Sequence, residues 1–243
     1  MAKEDTLTHD ALPVDEMVGA TNGVETIAQD QELSEQRKPM NIRIRFVNKS
    51  HDMNNSDVVI FSKNDTANFD EMAVAWRVIK NCGRDWSHTF DYPLGFQVGA
   101  QDSYGNVSDL KNAVYGQKWD IIRSSSGDIL TLDDQTASSP LEVEIKNNLS
   151  KGSINAQIYK DDKLFAMQTG VSPGQKSAFS FKPNLWVGVV SQVEEGAVMN
   201  SAILSDINTE ISLLGILSAD LIMTGGGVGP NATPFKFHLV PTS

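Results

Sequence analysis

"LEVEIKNNLSKGSINAQIYKDDKLFAMQTGVSPGQKSAFSFKPNLWVGVVSQV", residues 141–193, decides the fold class. Val143 and Ile145, Ile154, Ala156 and Ile158, then Phe179 and Phe181 each alternate with polar or small residues. A period of two places every second side chain on one face of a strand. Turn residues interrupt these runs at intervals of about 8–12 residues, the pattern of a β-sandwich or barrel. Pro173-Gly174 suits a type II turn, with proline fixing φ at the first central position and glycine accepting positive φ at the second.

The same texture extends in both directions. In "NIRIRFVNKS", from residue 41, Ile42, Ile44 and Phe46 share one face, with Arg43 and Arg45 opposite. "NFDEMAVAWRVIKNCG", residues 68–83, reads as a strand with Met72, Val74, Trp76 and Val78 on one side. "GQKWDIIRSSSGDILTL", residues 116–132, reads as a hairpin turning at Ser-Ser-Gly-Asp, and "TPFKFHLVP" closes the chain with Phe235, Phe237 and Leu239 inward. The stretch from Asp206 to Gly227 admits a helix capped by Asp206. Gly215 and the Thr-Gly-Gly-Gly exit favour two strands meeting near Ser218.

The expected architecture is therefore all-β: one large or two small antiparallel sandwich units. Residues 41–135 form the first unit and 136–243 the second, whether separate or continuous as one sandwich. Residues 1–40 carry acidic groups in excess and no aromatic residue, so they read as a disordered acidic arm. Gly-Gln-Lys occurs at 116–118 and at 174–176, and "FVNKS…VVIFSKND" resembles "IKNNLS…AQIYKDD", with Asn48 against Asn147 and Phe61 against Tyr159. Pro93 precedes the first Gly-Gln-Lys while Pro183 follows the second, so shared hairpin grammar is the expectation rather than an internal repeat.

With a net charge of −11, the chain is a poor partner for nucleic acid, because phosphate binding needs clustered Lys and Arg. The same sign disfavours anionic membranes. Cys82 is the only cysteine, which excludes an internal disulfide. Without a signal peptide or an apolar spanning run, a soluble cytoplasmic protein is the default expectation, with release by a non-classical route left open.

Sequence motifs for chemistry are sparse. His9, His51, His88 and His238 form no zinc-ligand spacing. Cys82 lacks a paired base in its motif and reads as a buried thiol. "TGGGVGPNATP" lacks the Lys-Ser/Thr ending of a phosphate loop. Asp102, Asn106 and Asp109 offer oxygens without the spacing of a calcium loop. No catalytic residue, metal site or cofactor is expected. Trp86, in the polar run "GRDWSHTFDYP", is the candidate exposed aromatic for a binding surface.

The leading functional expectation is a non-enzymatic structural or interaction protein that self-assembles or binds a protein partner. One alternative is a membrane-active, pore-forming type using residues 202–224, where Asp206, Glu210 and Asp220 could share a lumen face. The other is an enzyme whose site is assembled from distant residues. Two finer readings accompany the leading one: Arg45 and Glu142 are read as ordinary solvated edge charges, with pairing across strands as the alternative if their strands are neighbours, and Leu214 is expected to be permanent core.

Overall fold

The computed structural model describes residues 40–54, 56–66, 73–207 and 209–242. Apart from Met40, the expected acidic arm lies outside them, as does Met72. The described chain is nearly all β: β1 (Asn41–Asn48), β2 (Asp57–Phe61), β3 (Arg77–Ile79), β4 (Ser87–Pro93), β5 (Phe96–Gln101), β6 (Lys111–Ala113), β7 (Gln117–Ser124) and β8 (Gly127–Thr136) come first. Then follow β9 (Val143–Asn147), β10 (Ile154–Lys160), β11 (Lys163–Val171), β12 (Lys176–Phe179) and β13 (Asn184–Val190). The short helix α1 (Ser201–Asp206) precedes β14 (Thr209–Ser212), β15 (Ser218–Gly226) and β16 (Thr233–Pro241).

These strands form four sheets, ordered β16-β15-β1-β4, β14-β13-β2-β3, β8-β7-β9-β12 and β6-β5-β10-β11. The first two make one sandwich, with β16 lying against β13 and β14, and the other two make a second. Pairing is antiparallel except at the centres of two sheets, where β1 runs parallel to β15 and β9 parallel to β7. One apolar cluster runs through both sandwiches, from Ile44, Phe46 and Leu221 to Ile121, Ile145 and Ile158.

The architecture repeats, and the repeats exchange halves. Strands β1–β4 pair with β13–β16, while β9–β12 pair with β5–β8 in the same pattern of neighbours and directions. Residues 41–135 and 136–243 thus each contribute to both sandwiches. Details match down to single hydrogen bonds. Asn48 Nδ2 donates to Cys82 O and its Oδ1 accepts from Ser50 N; Asn147 Nδ2 donates to Val171 O and its Oδ1 accepts from Leu149 N. The backbone N–H of Asp85 donates to Asn48 O, and that of Gly174 to Asn147 O, each at 2.7 Å.

The expectation of mere hairpin grammar is corrected by this pairing. Gly-Gln-Lys does not mark the repeat, because residues 174–176 lead into β12 and match Asp85–Ser87, whereas 116–118 lead into β7, whose counterpart is β15. Pro93, which ends β4, matches Lys182 in this register, so Pro183 falls one position beyond it. The asparagine and aromatic correspondences are the ones that mark the repeat.

Where the chain crosses between sandwiches, matched aromatic residues meet. Trp76 and Phe165 occupy equivalent places and touch edge to face at 5.5 Å. Trp76 also packs on Tyr92 at 5.6 Å, as Phe165 packs on Phe181 at 5.0 Å. Trp76 Nε1 donates to Lys160 O at 3.1 Å, so one buried indole ties the edge of the first sandwich to β10 of the second. The Lys160 side chain is 4% exposed. Its amine donates to Pro93 O at 2.6 Å and Gly95 O at 3.2 Å, holding the β4–β5 crossover, and lies over the rings of Tyr92 and Phe165. Burial lowers its pKa to about 7.

Several local expectations meet the structure differently. Trp76 lies in the main core while Ala73 and Ala75 join a second cluster with Phe61 and Met199; Val78 packs against that second cluster and Ile79 against the main one, so the expected alternation breaks after Trp76. Only Arg77–Ile79 is strand, and Val74 makes a single bridge to Val198. In the 206–227 stretch the strands are β14 and β15. Asp206 ends α1 rather than starting a helix, since the N-cap is Asn200, whose side chain accepts from Ile203 N. Arg45 does not pair with Glu142: its strand neighbours are β4 and β15, and it makes a two-pronged ion pair with Asp220, Nε to Oδ1 2.8 Å and Nη2 to Oδ2 2.5 Å. Leu214 is not core. It lies 78% exposed in the turn before β15, while Leu221 is fully buried.

Candidate functional site

Trp86 stands at one end of the first sandwich, where three neighbouring loops meet: 49–56 after β1, 80–86 before β4 and 227–232 after β15. Asn48 organises the first two, since its N–H donates to Trp86 O at 3.0 Å while its side chain holds Cys82 O. The third is joined by His51, whose N–H donates to Gly225 O at 2.7 Å and which bridges Gly226. A Cβ at Gly225 would lie 2.2 Å from Pro234 O, and one at Gly226 3.1 Å from Asp52 N. Gly225 and Gly226 are therefore needed for close backbone approach and Gly227 for its φ of +106°, which accounts for the glycines without a phosphate.

The loop tips present apolar side chains to solvent: Met53 is 76% exposed, Trp86 69% and Val228 72%. Polar groups around them are tied to each other. Lys49 Nζ lies 2.8 Å from Asp85 Oδ1, which holds that carboxyl below its ordinary range. Arg84 Nη1 lies 2.9 Å from His51 Nδ1, and Asp52 accepts from Asn54 N and Ser56 N. These loops carry Lys49, Lys80 and Arg84 against Asp52 and Asp85, without the acidic excess of the chain as a whole. Met53 and Val228 escape a sequence search that looks for aromatics. Their signal was an isolated apolar residue inside a polar, turn-rich loop, as in "HDMNNSD" and "GGVGPN".

The second sandwich supplies a comparison from within the molecule. Its corresponding loops are shorter, 148–153, 172–175 and 125–126, and Gln175 stands where the first has Trp86. Leu149, the apolar residue of the first of these loops, is buried.

The other sequence candidates are dispersed. His88 and His238 are exposed on strands of one sheet, and His9 lies outside the described residues. Cys82 is buried, and desolvation pushes its thiol pKa up, away from a reactive thiolate. The Asp102 carboxylate accepts from Tyr104 N, Asn106 N and Asn106 Nδ2, closing its own loop. Among the described residues no three His, Cys, Asp or Glu side chains gather as a metal site. No helix among them is long and apolar enough to cross a membrane, which leaves strand-built spans unaddressed. Within 202–224, β15 is paired on both sides, by β1 and β16, and its Asp220 is engaged by Arg45, while Glu210 on β14 accepts from Asn184. Comparison with known protein families, with curated proteins and with solved structures finds no match.

Proposed function

We propose that this protein is a non-enzymatic interaction protein that associates with a second copy of itself through the Trp86 end of its first sandwich. The observation carrying this reading is the divergence of the two repeats. Equivalent loops close the second sandwich compactly and with polar tips, so the fold does not require exposed Met53, Trp86 and Val228 in the first. Exposed apolar side chains on neighbouring loops, aromatic and methionine above all, are characteristic of protein interfaces.

Charge favours a second copy approaching here. Two chains of net charge −11 repel over most of their surfaces, and repulsion is least where local cations and carboxylates cancel, as Lys49 with Asp85 does. Sedimentation velocity across a concentration series tests the reading. The wild type is expected to associate, and a variant carrying Met53→Ser, Trp86→Ser and Val228→Ser to stay monomeric with its unfolding midpoint unchanged. A wild type that is monomeric throughout, or a triple variant that associates equally well, would refute it.

A further inference from the structure

A second site lies on the other sandwich, on the outer face of the β8-β7-β9-β12 sheet. There β7, β8, β9, β11 and β12 line an open polar cleft of ≈ 630 Å³ whose walls carry Lys118, Lys146 and Lys176. Lys146 and Lys176 are directly opposite one another across the β9–β12 ladder. Like charges so placed, with Cβ atoms about 5 Å apart, destabilise a sheet.

Two of these lysines are neutralised within the protein. Lys118 Nζ lies 2.5 Å from Asp133 Oδ2 and donates to Gln135 Oε1 at 3.2 Å. Lys176 Nζ lies 2.6 Å from Glu144 Oε1 and 2.6 Å from Ser138 Oγ. Glu144 is buried, and although burial opposes its charge, Lys176 and the Ser138 N–H hold its pKa below the ordinary value. Lys146 makes no ion pair or hydrogen bond among the described residues; its charge reaches only as far as Asp133, which is already engaged by Lys118 and whose carboxyl both lysines help to hold below its ordinary range. Asp120, its neighbour across the parallel ladder, accepts from Asn148 Nδ2 at 3.2 Å instead.

The repeat again shows what the fold itself needs. Lys146 and Lys176 match Val47 and Ser87 of the first sandwich, which are paired in the same register, and Asp120 matches Ile222. A valine and a serine satisfy the same backbone positions, so the opposed lysines answer to something other than strand pairing.

We propose that this cleft binds a phosphate group, held between the ammonium groups of Lys146 and Lys176. A dianion with several acceptor oxygens neutralises the unpaired Lys146 and takes a remaining N–H of Lys176 at the same time, which relieves the like-charge contact. The size of the cleft leaves room for a small molecule carrying that group, with Gln168 and Gln175 on its walls to meet hydroxyls.

The test is an NMR titration of backbone amides with inorganic phosphate and, separately, glucose 6-phosphate, against sodium chloride at matched ionic strength. Saturable shifts centred on β9 and β12 are expected, absent with chloride and at least ~10-fold weaker in Lys146→Gln, a factor corresponding to loss of one charge-assisted contact. Lys146→Gln disturbs no internal ion pair, so it should fold normally, and Lys146→Arg should restore binding. Equal affinity for the two probes identifies the phosphate group alone as the ligand; tighter binding of the sugar phosphate extends the site to the cleft walls. No saturable shift with either probe, or shifts unchanged in Lys146→Gln, overturns the proposal.

Discussion

Replacing Lys160 with methionine should abolish a pH dependence of folding stability that the native chain carries. The Lys160 amine is enclosed by Tyr92, Phe96 and Phe165, and its hydrogen-bond acceptors are the carbonyls of Pro93 and Gly95. No carboxylate forms an ion pair with it among the described residues. Burial therefore dominates and brings its pKa from the ordinary 10.5 to about 7. The sign follows directly. Between those two values the unfolded chain carries a proton that the folded chain does not, so raising the pH favours folding. Below about pH 7 both states are protonated and the penalty of the buried charge is fully present; it is relieved as pH climbs toward 10.5. At about 1.4 kcal/mol per pH unit the complete window is worth about 5 kcal/mol, of which about 3 kcal/mol falls between about pH 6.5 and about pH 9.5.

Methionine removes the charge while preserving most of the volume, and it leaves two carbonyls without a donor at a cost of about 1–3 kcal/mol each. Absolute stability could thus move in either direction, and the informative quantity is the difference between the two proteins as a function of pH. Urea unfolding followed by tryptophan fluorescence suits the measurement, since Trp76 is fully buried beside Lys160. The native chain should gain about 3 kcal/mol on the variant across that range, with the other titrating groups cancelling. Parallel stability curves would refute the reasoning, because they would mean that ring faces and carbonyls keep the ammonium charged despite its burial.

Leu214→Asp should leave the unfolding midpoint nearly unchanged, because that side chain is exposed, whereas Leu221→Asp should prevent folding by placing an unpaired charge in the core; circular dichroism melts distinguish the two. Gly188→Ala should cost about 1–3 kcal/mol, since the added Cβ would lie 2.6 Å from Ile207 Cγ1, and a smaller residue at 207 should recover part of the loss in denaturant titrations. A double-mutant cycle on Arg45 and Asp220 should reveal a coupling that weakens with added salt and disappears as acid protonates Asp220, whose pKa the Arg45 hydrogen bonds hold below normal. The same cycle on Arg45 and Glu142 should show no coupling.

Alternation was enough to establish the all-β class, the β7–β8 hairpin and the inward faces of β1 and β16, because a strand's period of two is a property of neighbouring residues. Trp86 could be picked out in the same way, by an aromatic residue in a polar run. Strand partners were not legible. Arg45 meets Asp220 across most of the chain's length, and nothing local to either residue records that distance. Burial of Leu221 but not Leu214 depends on where the turn before β15 releases the strand into its ladder with β1, although both leucines belong to one apolar run. The repeat was written in Asn48 and Asn147, yet its exchanged halves exist only once the chain has crossed to the other sandwich after β4 and again after β12. Lys160 shows the limit most plainly: in sequence it ends an ordinary strand, and only the crossover folded over it makes its amine a buried one.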